Sequence, residues 1–247
     1  MIEENKWTSL PSIITPRRFF GATAIGEKIY VAGGSYCSDG GYLSSAEVYD
    51  SKLNKWSSLP NMTNNRDGCA VTSVNGIVYV IGGYAFGRRD LSPGEIFYPA
   101  TNEWTTLPDM REVRSGFAAC AIGKKIYATG SFKNGCLSSV EVFDIMTQEW
   151  SSITNMKNRR TRCAAVSIGK KIYVFGGYDG RSDDSLSSAE VYDITTQEWT
   201  LLPKMKERRF GCAATVVGDT IYVVGGHDDF SNHHSSCAVE PVVILWS

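Results

Sequence analysis

"KMKERRFGCAATVVGDTIYVVGG" runs from Lys204 to Gly226, and the chain writes nearly the same line five times. "TNNRDGCAVTSVNGIVYVIGG" (Thr63 to Gly83) and "KNRRTRCAAVSIGKKIYVFGG" (Lys157 to Gly177) keep the same order. An arginine leads into a small apolar run, then a turn, then a β-branched and aromatic run closed by a glycine pair. Tryptophans set the period: Trp7, Trp56, Trp104, Trp150 and Trp199 lie 49, 48, 46 and 49 residues apart. Tyr30, Tyr79, Tyr127, Tyr173 and Tyr222 keep the same beat, followed by Gly33-Gly34, Gly82-Gly83, Gly130-Ser131, Gly176-Gly177 and Gly225-Gly226. A period of about 20–50 residues marks a repeat architecture.

Each unit reads as four short strands. "CAAVSIG" (Cys163 to Gly169) is small and apolar throughout, as a strand covered on both faces is. "KIYVFGG" is a β-branched run stopped by glycines. "SSAEVYD" (Ser187 to Asp193) alternates with period two, so one face is buried. "EWTLLP" (Glu198 to Pro203) carries a tryptophan at its start, Trp199, and ends on a proline that cannot extend a ladder. Turn signals such as "IGKK", "VNG" and "TTQE" separate the runs. No apolar period of 3.6 residues is sustained long enough for a helix.

This fivefold pattern, with "IYVxGG", "SSAEVYD" and "EWxxLPxM" in fixed order, resembles the kelch repeat family from Trp7 to about Leu245. The resemblance implies an all-β fold, a kelch β-propeller with one four-stranded blade per repeat around a central channel. A single domain over 1–247 is expected, with repeats at approximately 12–60, 61–108, 109–154, 155–203 and 204–247 plus 1–11. The chain's ends suggest the closure. Glu47, Glu95, Glu141 and Glu190 each precede the unit's tryptophan by nine residues, whereas Glu240 precedes Trp246 by six. "CAVEPVVIL" (Cys237 to Leu245) therefore reads as a third strand, and "NKWTSLP" (Asn5 to Pro11) as the fourth strand that completes the last blade. Five blades are expected, joined into a ring that leaves no free edge.

Thirteen residues before each repeat tyrosine stands an arginine: Arg17, Arg66, Arg114, Arg160 and Arg209. In kelch adaptors of ubiquitin ligases, arginines at this motif position grip acidic peptides, and the resemblance carries that role to these five. A guanidinium is always charged and matches a carboxylate fork to fork. The alternative is that a residue present in every unit serves the unit, by bonding carbonyls within its blade. The neighbouring Arg18, Arg111, Arg159 and Arg208 are irregular and read as a solvated face. Loops between second and third strands differ in length and charge, and the first half of each carries an aromatic residue or histidine after the glycine pair: Tyr36, Tyr84, Phe132, Tyr178 and His227. Such residues make binding hot spots on a rigid scaffold, or pack on neighbouring loops.

Composition narrows the function classes. A net charge of −1 provides no overall field for nucleic acid or an anionic membrane. No stretch approaches the ~20 apolar residues of a membrane helix, and "MIEENKW" has no signal-peptide pattern. Seven cysteines without a CxxC pair argue against a disulfide framework and a zinc site. A cytoplasmic chain with reduced thiols is expected. "HDDFSNHH" (His227 to His234) matches no metal spacing and reads as a solvated loop. Cys69, Cys163 and Cys212 share a slot with Phe20 and Phe117, which marks packing rather than catalysis. No catalytic motif appears, so no enzyme, metal or cofactor is expected.

The reading is a monomeric protein-interaction module that binds an acidic partner segment at the propeller mouth. The substrate-recognition unit of an adaptor is one form such a module takes. Two alternatives stay open: a kelch-fold enzyme acting on a small anionic sugar, with Asp179 or His227 as its titrating group, and a cytoskeletal, actin-binding scaffold.

Overall fold

A computed structural model describes residues 9–36, 41–85, 87, 89–132, 135–180, 185–228 and 242–244 of the chain. Among them there are strands and turns but no helix, and none therefore long and apolar enough to cross a membrane. Four antiparallel sheets each hold four strands in chain order. Blade 1 comprises Gly21–Ile25, Lys28–Ala32, Ala46–Asp50 and Lys55–Ser58. Blade 2 comprises Ala70–Val74, Ile77–Ile81, Gly94–Tyr98 and Glu103–Leu107. Blade 3 follows with Ala118–Ile122, Lys125–Thr129, Val140–Asp144 and Glu149–Ile153, and blade 4 with Ala164–Ile168, Lys171–Phe175, Ala189–Asp193 and Glu198–Leu202. Blade 5 has three strands, Ala213–Val217, Thr220–Val224 and Val242–Ile244.

The apolar runs form blades because their two faces are buried against different neighbours. Along each first strand, alternate residues point to alternate sides. Positions one, three and five face the next blade, and positions two and four the previous one. A Cβ on Gly21 would meet Val71, and Thr23 Oγ1 donates to Ser73 Oγ at 3.0 Å. The core is accordingly divided into four inter-blade clusters. One joins Ala32 and Tyr30 to Val71 and Cys69. A second joins Ala70 and Val74 to Phe117 and Ile126. A third joins Ala118 and Cys120 to Cys163 and Ile172, and a fourth joins Val166 and Phe175 to Ile221 and Val223.

The first glycine of each pair has a steric reason. Gly33, Gly82, Gly130 and Gly176 have φ between 59 and 72°, and a Cβ there would collide with the carbonyl oxygen of the next unit's repeat arginine. The following N–H reaches that same oxygen: Gly34 to Arg66 at 2.7 Å, Gly83 to Arg114 at 2.7 Å, Ser131 to Arg160 at 2.9 Å, Gly177 to Arg209 at 2.7 Å. Serine replaces the second glycine in blade 3 without loss of this bond.

The last blade and the closure fall partly outside the described residues. Four blades are four-stranded, and the fifth shows three strands among the described residues. Closure was expected from Asn5 to Pro11, of which residues 1–8 lie outside the described residues, as do Glu240 and Trp246. Ser9 to Pro11 are described and form no strand. No backbone bond between blade 5 and blade 1 exists among the described residues.

Candidate binding site at the mouth of the propeller

The repeat arginines are spent inside the blades. Arg66, Arg114 and Arg160 are 0% exposed, and Arg17 and Arg209 are buried too. Each of the first four meets the third-strand glutamate of its own unit: Arg17–Glu47 at 2.6 Å, Arg66–Glu95 at 3.0 Å, Arg114–Glu141 at 2.9 Å, Arg160–Glu190 at 2.9 Å. The same guanidiniums donate to the first glycine's carbonyl, on Gly33, Gly82, Gly130, Gly176 and, from Arg209, Gly225, at 2.6 to 2.7 Å. The glutamate's other lone pairs take two backbone N–H groups, such as those of Lys157 and Asn158 on Glu190. A buried ion pair is tolerable only when its remaining valences are filled like this.

This corrects the expected placement. The five arginines do not line the mouth, and no guanidinium among Arg66, Arg114 and Arg160 has a solvent-facing side. The side chain locks a blade to itself while its carbonyl locks the blade to the one before.

The mouth itself is an open cavity of about 1270 Å³. It is built mainly from residues one to five positions after each arginine, reaching Ala22 and Ala213 in the first strands of blades 1 and 5, and from residues just after the glycine pairs. Asp67 exchanges backbone bonds with Tyr84, Thr161 with Tyr178, and Phe210 with His227, at 2.7 to 3.0 Å. Phe132 N–H donates to the Ser115 carbonyl at 2.9 Å, completing the same arrangement in blade 3. Tyr84, Phe132, Tyr178 and His227 line the mouth. Tyr36 is not among the lining residues. In blade 1 the equivalent seat belongs to Ser35, which pairs with Arg18, and Tyr36 stands one residue further on. Tyr42 lines the mouth instead and meets Tyr84 edge to face, with ring centroids 5.6 Å apart.

A belt of backbone bonds crosses from blade to blade at the second residue after each arginine. Gly68 N–H donates to Phe19 O, Gly116 to Gly68, Arg162 to Gly116 and Gly211 to Arg162, at 2.5 to 2.9 Å. All five belt residues have positive φ, from 51 to 67°. Three are glycine, for which this costs nothing. Phe19 and Arg162 are not, and a left-handed backbone costs such residues roughly 1 kcal/mol or more. Their two side chains meet: the Arg162 guanidinium lies 4.9 Å from the Phe19 ring centre, and that of Arg18 lies 5.6 Å from it. Both Phe19 and Arg162 line the cavity. The sequence shows this departure, since the position reads Phe, Gly, Gly, Arg, Gly across the five units. The invariant arginine two residues earlier masks it.

Asp67 is the carboxylate of this cluster. Burial pushes its pKa up, against the pull of a hydrogen bond to Ser35 and of the Arg18 and Arg162 charges. Its Oδ1 is buried without a hydrogen-bond partner among the described residues. The thiols of the lining are held in the protonated form by the same physics: burial pushes Cys69 up to about 11 and Cys212 up to about 12. No cluster of metal-ligating side chains occurs among the described residues. His233 and His234 lie outside them.

The blades, the glycine pairs and the arginine–glutamate clamps define a class, the kelch propellers, and comparison with known proteins agrees. The KLHDC2/KLHL20/DRC7 Kelch-repeats domain matches residues 2–131, 61–177 and 110–226. The chain belongs to the kelch repeat family. No curated protein matches it. Among 760 matching solved chains, the structure of YjhT is similar with a TM-score of 0.76 and 18% identity, covering 88% of this chain and 75% of that one. A fold so widely shared does not select one function.

Proposed function

We propose that this propeller is a protein-interaction module whose mouth binds an acidic segment of a partner. Kelch propellers commonly serve as interaction modules. The observation that carries the acidic specificity is the pair Phe19 and Arg162: both accept a left-handed backbone where three other units use glycine, and both line the cavity. Unfavourable backbone conformations persist where the side chain is needed. Arg162 supplies a fork for a carboxylate, stacked on Phe19 so that little side-chain freedom is lost on binding. Tyr42, Tyr84, Phe132 and Tyr178 supply aromatic area around it. Recruitment of that partner to a larger complex extends the same reading, in a cytoplasmic setting.

The test is calorimetry with short peptides rich in Asp and Glu, each matched by its Asn and Gln version. Acidic peptides should bind at least about tenfold more tightly than the amide versions, as one charge-assisted bond of ~1.5–3 kcal/mol requires. Arg162→Gly should remove that difference. Equal binding of both peptide sets would sink the proposal.

Asp67 favours a second reading. A carboxyl held up by burial, beside two guanidiniums in a cavity, is what an enzyme acting on a small anionic sugar would need. In that case Asp67→Asn abolishes turnover of the sugar while sugar binding survives.

A further inference from the structure

Among the described residues that line the mouth, Asp67 is the one carboxylate and Arg162 the one guanidinium. The position after the repeat arginine reads Arg18, Asp67, Ser115, Thr161 and Phe210, so the acid belongs to no repeat pattern. On the blade 1 side, Ser35 Oγ hydrogen-bonds the Asp67 carboxylate and accepts the Arg18 Nε–H at 3.4 Å. Arg18 and Arg162 act on Asp67 through space, and both are exposed beside the Phe19 ring. The acid's own segment adds the Cys69 thiol, pushed up to about 11 and so protonated, and the Arg66 guanidinium, already paired with Glu95. On the blade 2 side, Tyr84 pairs its backbone with Asp67 and with Asp90, and Asp90 Oδ1 accepts from Ser115 Oγ at 2.7 Å. Asp67 Oδ1 remains sealed from solvent with no donor among the described residues. Charge holds this carboxylate in place, but hydrogen bonds do not fill it, and one proton would.

We infer that Asp67 is a built-in competitor for the Arg18–Arg162 pair, and that an acidic partner segment enters the mouth together with a proton, which Asp67 accepts from solvent. This rests on the acidic-segment reading of the mouth. Two guanidiniums and one carboxylate leave the cluster a surplus of one positive charge, enough for one carboxylate of the ligand. A ligand carboxylate on Arg162 spends the charge that keeps Asp67 ionised and sets a like charge beside it. When two carboxylates share a site, one is driven to hold a proton. Asp67 is that one, because its Oδ1 is buried and unfilled, whereas the ligand's oxygens meet guanidinium forks. In the free mouth burial already raises the Asp67 pKa, and the ligand raises it further. Affinity therefore grows as pH falls through the bound-state value and stops growing at the free-state value. Below about pH 4 the ligand's own carboxylates protonate and affinity falls again. His227 also lines the mouth, and a histidine gains its proton between about pH 5 and 8.

The experiment is calorimetry on the full chain with a short peptide rich in Asp and Glu and with its Asn and Gln version. Each titration is run in two buffers of different protonation enthalpy, which reads the protons taken up on binding. The parent should take up a fraction of a proton with the acidic peptide at about pH 5.5, and should bind it up to about tenfold more tightly there than at about pH 7.5, one pKa unit being tenfold. Asp67→Asn mimics the protonated acid without titrating. It should take up none, and should bind at the higher pH as tightly as the parent does at the lower. His227→Gln should keep the parent's uptake. Parent binding without uptake, or Asp67→Asn binding no more tightly than the parent at the higher pH, overturns the inference; the acidic-segment reading stands if the acidic peptide still outbinds its amide version. Equal binding of the two peptides overturns both. Uptake kept in Asp67→Asn and lost in His227→Gln assigns the proton to the histidine and also overturns it. The parent and His227→Gln decide the matter even where Asp67→Asn does not fold.

Discussion

Arg160 and Arg162 stand two residues apart and do opposite work. Arg160 is fully buried and consumed by Glu190, Gly176 and Ser188. Arg162 is exposed at the mouth and rests on Phe19. The position of the repeat arginines was legible in the sequence, but the direction of their side chains was not, because a fixed register says nothing about which side of a turn a long side chain takes. The recurring third-strand glutamate was the available signal: a buried cation needs an anion at the same period. Tyr36 was misplaced for a related reason. It follows the glycine pair at one residue's remove, and only the Arg18–Ser35 pairing shows that Ser35 holds the seat. Tyr42 reaches the mouth through the path of a loop, which no local pattern encodes. At this scale Asp67 yields a prediction. Its pKa is raised in the fold, so the folded chain holds the proton more tightly than the unfolded one, and stability from this group falls as pH rises above the ordinary carboxylate range. Asp67→Asn should therefore melt higher than the parent at pH 7, and the gap should close as pH drops below about 4. A parent that melts higher at pH 7 would show that ionised Asp67 is stabilised by its two arginines instead.

Strands and their order were legible because period-two alternation and glycine stops are local properties. How blades attach to each other was less so. The tryptophans illustrate it. Each of the four described tryptophans packs on an aromatic of its own third strand, as Trp150 does on Phe143 with centroids 5.2 Å apart. Each indole N–H also leaves the blade, to donate to the carbonyl that ends the previous blade's outer strand or its counterpart. Trp56 reaches Pro11, Trp104 Pro60, Trp150 Pro108 and Trp199 Thr154, at 2.8 to 3.0 Å. The tryptophan thus fills its blade and ties it to its neighbour at the outer rim, while the glycine N–H ties it near the axis. Trp150→Phe keeps most of the ring and removes the tie. It should cost about 1–2 kcal/mol in urea unfolding, one hydrogen bond plus the unpaired Pro108 carbonyl. A change below a few tenths of a kcal/mol would mean that water replaces the bond at no cost.

At the scale of the whole molecule, the architecture is a succession of joints, each mated by one arginine carbonyl, one glycine-pair N–H and one apolar cluster. The number of repeats could be counted from tryptophans and tyrosines, and the closing strand was read from the out-of-register end of the chain; of that strand, Pro11 is seen to accept the Trp56 indole N–H. The division of labour between clamp and mouth is what the molecule rests on. It is tested most directly by urea unfolding and acidic-peptide binding measured side by side on Arg160→Ala and Arg162→Gly. Arg160→Ala should lose about 3–5 kcal/mol, because it strands Glu190 in the interior. Arg162→Gly should be as stable as the parent or up to about 1 kcal/mol more so, having shed an unfavourable backbone, and should lose acidic-peptide binding. If instead Arg162→Gly binds the acidic peptides like the parent, or Arg160→Ala unfolds like the parent and loses them, the roles assigned to the two arginines are reversed.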